Sequence, residues 1–393
     1  MRLVFATSLC VAIAVLLAAC SGEDREAGAT RGVTDTEIVL GTHTDVSGAV
    51  AIWGVGIVNG ARMRFDEANE AGGIYGRRIR YIVEDTSYQL PKAVQAANKL
   101  VNRDKVLAMV LGTGTPMNNA IMPQLFEQGV PNLFPVSGGR QMVVPFHPMK
   151  FTQRGIYYDE VRAAIKYFVE REGRNSVCAV YHDTDYGLEI REAVEDQTRE
   201  MGLAVVAESA HKPTESEFTA AVLRLRNAGC DLVLMGTVHR DTILILDTAR
   251  KMGWTDVAWV GNNAAYGQVI ADQDSGEGYY AFVHMARIYA EDEKPPPVQA
   301  WWDRYVALYD VEPGLPAMEG YRAADLVLEA LANAGPDLTV EALLKGIESI
   351  TDYTDIFGYK VSFSAEKHSG ATESVLSQVQ NGRWMVLEQS ISY

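Results

Sequence analysis

Two successive runs of strand–helix alternation restrict this chain more than any other property of its sequence. Short β-branched apolar stretches at Glu37–Thr42, Arg80–Glu84, Val106–Leu111 and Asn132–Val136 are separated by helical patterns at Val55–Ala71, Pro91–Asn102 and Asn118–Gln128. Strands joined in this way build right-handed βαβ units, whose helices cover both faces of a parallel sheet. The pattern restarts with strands at Val177–Tyr181, Ala204–Ala207, Leu232–Met235 and Val257–Val260, and helices at Tyr186–Met201, Glu217–Asn227 and Asp241–Met252. Gly202, Gly229 and Gly253 follow those helices, where a left-handed C-cap favours a residue without Cβ. The expected fold class is α/β, with two doubly wound parallel-sheet lobes. The 393 residues suffice for two domains of ordinary size.

After Gly278 the period changes. A strand-like run at Tyr279–Met285 is followed by the break Lys294-Pro295-Pro296-Pro297. Helical segments at Val298–Tyr309, Ala317–Ala334 and Val340–Ile347 come next, and short strands at Lys360–Phe363 and Arg383–Leu387 close the chain. A helical block arriving this late must return to cover a sheet already built. The chain is therefore expected to cross between lobes near residues 148–154, 280–287 and 357–373. That assigns 36–152 plus 285–358 to the first lobe and 153–284 plus 359–393 to the second. Together the crossings form a multi-crossover hinge.

The N-terminus follows other rules. Arg2 precedes an apolar run from Leu3 to Ala19, too short to favour a membrane span and ample for a secretory signal. It ends in Leu17-Ala18-Ala19-Cys20, which matches the bacterial lipobox. Residues 1–19 are expected to be a signal peptide, Cys20 the lipidated residue, and 20–35 a polar tether too poor in apolar surface to fold. The protein is then periplasmic or otherwise extracytoplasmic, held to the membrane by an anchor. Of the remaining cysteines, Cys178 and Cys230 border strands and are expected to be buried free thiols, with a disulfide as the alternative.

In open α/β sheets ligands bind beyond the carboxyl ends of the strands, so the strand-end loops of the two lobes define a cleft. After the first strand comes Trp53, suited to an apolar ligand surface or to a hydrophobic staple. The loop Leu111-Gly112-Thr113-Gly114-Thr115-Pro116 offers hydroxyls and a helix N-terminus to an anion. Ser137, Gly138 and Arg140 follow the fourth strand. In the second lobe, Tyr186 is expected to project toward the cleft, while Asp183 or Asp185 caps the helix. His239 and Asp241 lie in one further loop and Asn263 in another.

These stretches carry a resemblance. EIVLGTHTDVSGAVAIWG, GARMRFDEANEAGGIYGRRIRYIVED, PKAVQAANKLVNRDKV, VYHDTDYG and LDTARKMGW, in that order from Glu37 to Trp384, resemble the branched-chain amino-acid/amide-type solute-binding proteins of ABC importers. The resemblance implies the type I periplasmic binding protein fold, a monomer, an ABC permease and ATPase as partners, and no enzymatic activity. It also implies that Thr113, Val136 and Gly138 hold a ligand carboxylate, with Ser137 adjacent, that Tyr186 covers the ligand and that Trp53 forms a side wall. Where members that bind amino acids place an acid for the ammonium, this chain has Asn263, and Asp241 lies near another ligand loop. The ligand is accordingly a small polar molecule: an amino acid, an amide, or a small or aromatic carboxylate.

Other classes fit less well. A net charge of −16 disfavours nucleic acid as a partner. GxSxG, HExxH, CxxC and a GxGxxG after the first strand are absent, so neither catalysis, a metal nor a cofactor is expected. A lipoprotein of the same fold that senses a ligand and signals to a membrane partner is the alternative to a transport receptor.

Overall fold

The computed structural model describes residues 30–371 and 373–391, so the apolar leader and Cys20 lie outside the described residues. The first lobe is built from β1 (Glu37–Thr44), α1 (Ala51–Glu70), β2 (Arg78–Asp85), α2 (Leu90–Asn98), β3 (Ala108–Val110), α3 (Thr115–Glu127), β4 (Asn132–Leu133) and β5 (Lys150–Phe151). Its strands form a parallel sheet in the order β2-β1-β3-β4-β5. β1 is flanked on both edges and buried from Ile38 to Thr44, which is why it reads as a continuous apolar run.

The chain then enters the second lobe with α4 (Tyr157–Glu172), β6 (Val177–His182), α5 (Asp185–Glu200), β7 (Ala207–His211), α6 (Thr219–Asn227), β8 (Leu232–Gly236), α7 (His239–Lys251), β9 (Ala258–Gly261), α8 (Gln268–Ala271) and β10 (Tyr280–Val283). It returns to the first lobe for α9 (Pro296–Tyr309), α10 (Leu315–Ala334), α11 (Val340–Glu348) and the small ladder of β11 (Tyr353–Thr354) with β12 (Lys360–Val361). Finally β13 (Ser374–Gln380) and β14 (Arg383–Ile391) add antiparallel to β10, giving the order β14-β13-β10-β9-β8-β6-β7. The first and third crossings run side by side, since the Thr152 amide donates to the His368 carbonyl at 3.0 Å and Gly370 returns a bond to Thr152 at 2.8 Å.

The late helices cover the first sheet through one close seam. A Cβ on Gly60 of α1 would fall 2.0 Å from the Ala317 carbonyl oxygen, and one on Gly320 of α10 would fall 2.1 Å from that of Ile57. Only glycine lets the two backbones approach so closely. Arg64–Asp325 (2.6 Å) and Tyr321–Glu67 (2.8 Å) extend the contact along the helices.

Some details depart from the sequence expectations. The seventh strand is Ala207–His211 rather than Ala204–Ala207, because it is an edge strand of mostly half-buried residues and lacks an apolar run. Helix α4 and strand β13 were not anticipated. Gly202, Gly229 and Gly253 do adopt positive φ, at 70°, 78° and 67°. Cys178 and Cys230 are not free thiols: they form a disulfide with a Cα–Cα distance of 5.9 Å. β6 pairs with β8, which brings together residues separated by 52 positions, and no local pattern reveals that neighbour relation. By loop-closure entropy this cross-link stabilises the fold by about 4 kcal/mol. The double variant Cys178→Ala/Cys230→Ala is expected to lose stability of that order in urea melts, whereas the untreated and reduced forms of that variant should be identical.

Candidate functional site

Both sheets switch direction at the cleft. In the first, the chain moves from β1 to β2 on one side and then to β3 on the other, and the hydroxyls of Thr44 and Thr113 meet across that point at 2.7 Å. In the second, the corresponding switch lies between β6 and β8, and the Tyr186 hydroxyl donates to the Thr237 carbonyl there at 3.1 Å. Such switch points open a crevice beyond the strand ends. Leu111 and Phe134, at the ends of β3 and β4, take φ of 63° and 51°, an uncommon conformation for bulky residues that turns the chain sharply toward the cleft.

An inner cavity of about 40 Å³ lies between the lobes. It is lined by Trp53, Thr113, Val136 and Tyr186, together with Tyr88, Thr115, Arg154 and Tyr157. Five of these eight, Trp53, Thr113, Thr115, Val136 and Tyr186, were anticipated from the sequence. Thr113 and Val136 form an isolated parallel bridge, so the loops after β3 and β4 are in register at the cavity. Helix α3 begins at Thr115 without a side-chain cap, directing its first backbone N–H groups at the same space. Ser137 is fully buried behind this wall and bonds the Thr115 hydroxyl at 2.8 Å. Gly138 also lies behind it, its carbonyl accepting from the Tyr157 amide at 2.8 Å.

The remaining expected residues stand elsewhere. Asn263 is buried and fully engaged: its amide nitrogen donates to the Gly155 carbonyl (3.0 Å) and Glu160 (2.9 Å), its backbone N–H donates to Glu160 (3.0 Å), and its oxygen accepts from Arg154 (3.2 Å). Asp241 does not line the inner cavity. Its carboxylate binds His182, His211 (3.3 Å) and Arg240 (2.8 Å). Burial would raise its pKa, but the two histidines and Arg240 hold it well below the usual carboxylate range. His182, His211 and Asp241 are the group among the described residues that could hold a metal ion, although Arg240 already balances the carboxylate charge. Asp183 makes no cap, while Asp185 accepts a hydrogen bond from Asn119 of the opposite lobe at 2.7 Å.

His239 faces Trp53 across the cleft. The indole N–H donates to His239 Nε2 at 2.9 Å, which places the imidazole proton on Nδ1. Burial pushes this histidine down to about 4, so the ring is neutral at physiological pH. Trp53 is held on its other side by the Arg154 guanidinium, 4.7 Å from the ring centroid. Arg154 is itself fixed by Glu319, with one bond of 2.6 Å and a second, shorter one. Both side chains are almost completely buried.

Sequence reasoning missed Arg154, Tyr88 and Tyr157. Arg154 stands in the first crossing, and an arginine there resembles any surface arginine until the fold encloses it. Tyr157 opens a helix whose signal was available: YYDEVRAAIKYFVERE has apolar residues at helical spacing and two acids in its first turn.

A second set of contacts joins the lobes. The Arg140 amide donates to both oxygens of Glu189, at 2.9 and 3.1 Å, and its guanidinium lies 3.9 Å over Tyr158 and pairs with Glu192. Burial pushes the Glu189 carboxyl up to about 7, against the opposing pull of Arg140. Relative to the unfolded chain, the raised value contributes stability that is complete below the ordinary value of 4.5 and is lost as pH rises through about 7. Unfolding free energy measured from pH 4 to 8 is expected to lose this contribution with rising pH, and Glu189→Gln to flatten that dependence. Glu319→Ala leaves a buried guanidinium unpaired, and denaturant unfolding is expected to register a loss of about 3–5 kcal/mol.

A family model for the periplasmic binding protein matches residues 37–383. Leu/Ile/Val-binding protein homolog 8 of Brucella abortus is 24% identical over 366 residues, covering 88% of this chain and 89% of its own. A fatty acid ABC transporter substrate-binding protein from Thermomonospora curvata superposes with a TM-score of 0.83 at 23% identity, covering 93% of this chain and 94% of the other. An ABC-transporter solute-binding protein from R. palustris, in complex with benzoate, gives 0.78 at 18% identity, with 91% and 97% covered. With the two facing α/β lobes and the cleft between their strand ends, these matches show that the chain belongs to the periplasmic binding protein family, as a non-enzymatic substrate-binding protein of the type I fold.

Proposed function

We propose that this protein is the lipid-anchored, extracytoplasmic receptor of an ABC importer, and that it clamps a small carboxylate carrying no α-ammonium group. The observation that carries the ligand class is the charge around the inner cavity. Arg154 is its one charged lining residue among the described residues, and no carboxylate lines it. A buried ammonium without an acid is costly, and an adjacent guanidinium raises that cost. Asn263, in the position where the resemblance implies an ammonium partner, has its donors and acceptor committed to Arg154, Gly155 and Glu160.

An anion is met on better terms. Thr113 and Thr115 supply hydroxyls, the start of α3 supplies N–H groups and a favourable dipole, and Arg154 adds positive potential. Trp53, Tyr88, Tyr157 and Tyr186 supply aromatic surface for an apolar body. That relatives and neighbours are named for leucine-type amino acids, fatty acids and benzoate supports a carboxylate as the shared element. The three crossings act as the hinge, and ligand contacts from both lobes favour the closed form. The lipobox ending at Cys20 supports the anchor, and among the described residues no helix is long and apolar enough to cross a membrane.

Thermal unfolding tests this reading. At a hundredfold excess over Kd, a ligand specific to the native state adds about 2.7 kcal/mol. Benzoate or short alkanoates are expected to raise the midpoint, and Thr113→Ala to reduce the shift. A shift with leucine or valine, and none with acids lacking the amine, would reject the proposed ligand class.

A further inference from the structure

Beyond the Trp53–His239 contact lies a second, larger space. A chamber of about 460 Å³ opens between the start of α1, the loop joining α9 to α10, and the Tyr266–Gln268 segment of the second lobe. Its size falls within the range of small-molecule sites. The inner cavity of about 40 Å³, by contrast, has room for roughly three water molecules. Trp53 lines both spaces and His239 lines the outer one, so their hydrogen-bonded pair is the partition between them.

The lining of the chamber is apolar where solvent would favour polar residues. Ile52, Val55 and Val311 are 54%, 42% and 54% exposed, and all three face this chamber with Leu315. Large exposed apolar side chains converging on one concavity mark a binding surface. On its rim stands Arg287, whose Nε is buried without a hydrogen-bond partner.

We infer that the outer chamber is a subsite of the same ligand, and that the solute is an amphipathic carboxylate whose apolar tail passes between Trp53 and His239 into it. This rests on the reading that the inner cavity takes a carboxylate. Trp53 belongs to the first lobe and His239 to the second, so the pair separates when the lobes part. A ligand seated head-first in the open form leaves its tail between the two rings, and closure then clamps the tail in place of their mutual bond. The aromatic faces suit a methylene chain or an aryl ring equally.

Calorimetric titration with straight-chain acids from acetate to decanoate, below their micellar concentrations, tests the inference, with acetate as the short reference. Each methylene entering the chamber should raise affinity about three- to fourfold until the chamber is filled. Val55→Asp and Ile52→Asp, both at exposed positions that tolerate a polar side chain, should abolish the gain with length and leave acetate unchanged. Acid binding with no chain-length dependence would overturn the subsite while the inner-cavity reading stands. A length dependence that survives both substitutions would also overturn it. Binding of no acid at any length would reject the inner-cavity reading and this inference together.

Discussion

The cleft is organised by one ion pair in the first crossing. Arg154 and Glu319 are taken out of water together, and a buried pair of this kind is stable only when its remaining hydrogen-bonding groups are met. The guanidinium also donates to Asn263 and lies over Trp53, and Gln153 ties the backbone of Glu319 through its carbonyl at 3.2 Å. The pair thereby links α10 of the first lobe, the crossing strand, the end of β9 in the second lobe, and the aromatic wall of the cavity. Because the guanidinium is held by Glu319, its place in the cavity wall is set by the fold itself.

A second layer of buried polar contacts surrounds it. Glu160 accepts from Asn263 and from Ser374 (2.9 Å), so a residue near the C-terminus joins the same network. Glu160 and Ser374 stand close to the crossings, while Asn263 follows the end of β9. Farther out, Asn119–Asp185 and Arg140–Glu189 join the lobes through contacts nearer the surface.

The fold was legible because parallel strands buried on both faces read as apolar runs, and β1, β6, β8 and β9 are such strands. β7 and β13 were harder, since half-buried strands at or near a sheet edge carry mixed residues. At the site, Thr113, Val136, Trp53 and Tyr186 were accessible to reasoning because they follow strand ends directly. Asn263 and Asp241 also follow strand ends, yet their side chains turn to partners that sequence does not display: a glutamate 103 residues away for one, and histidines on two other strands for the other. Arg154 illustrates the opposite case. Its importance arises from a pairing across 165 residues, and nothing local distinguishes it from an ordinary charged residue.

The seam between Gly60 and Gly320 has a consequence for biogenesis. Among the described elements α1 is one of the first to be synthesised, and the surface it must bury against α10 follows some 250 residues later, after the second lobe. The second lobe, by comparison, has its parallel strands and their helices in one continuous stretch, and its disulfide closes within that stretch. The second lobe can therefore close its core before the first does. The N-terminal part of the first lobe keeps an uncovered apolar face until the returning helices are made, and such a face is prone to aggregation during that interval.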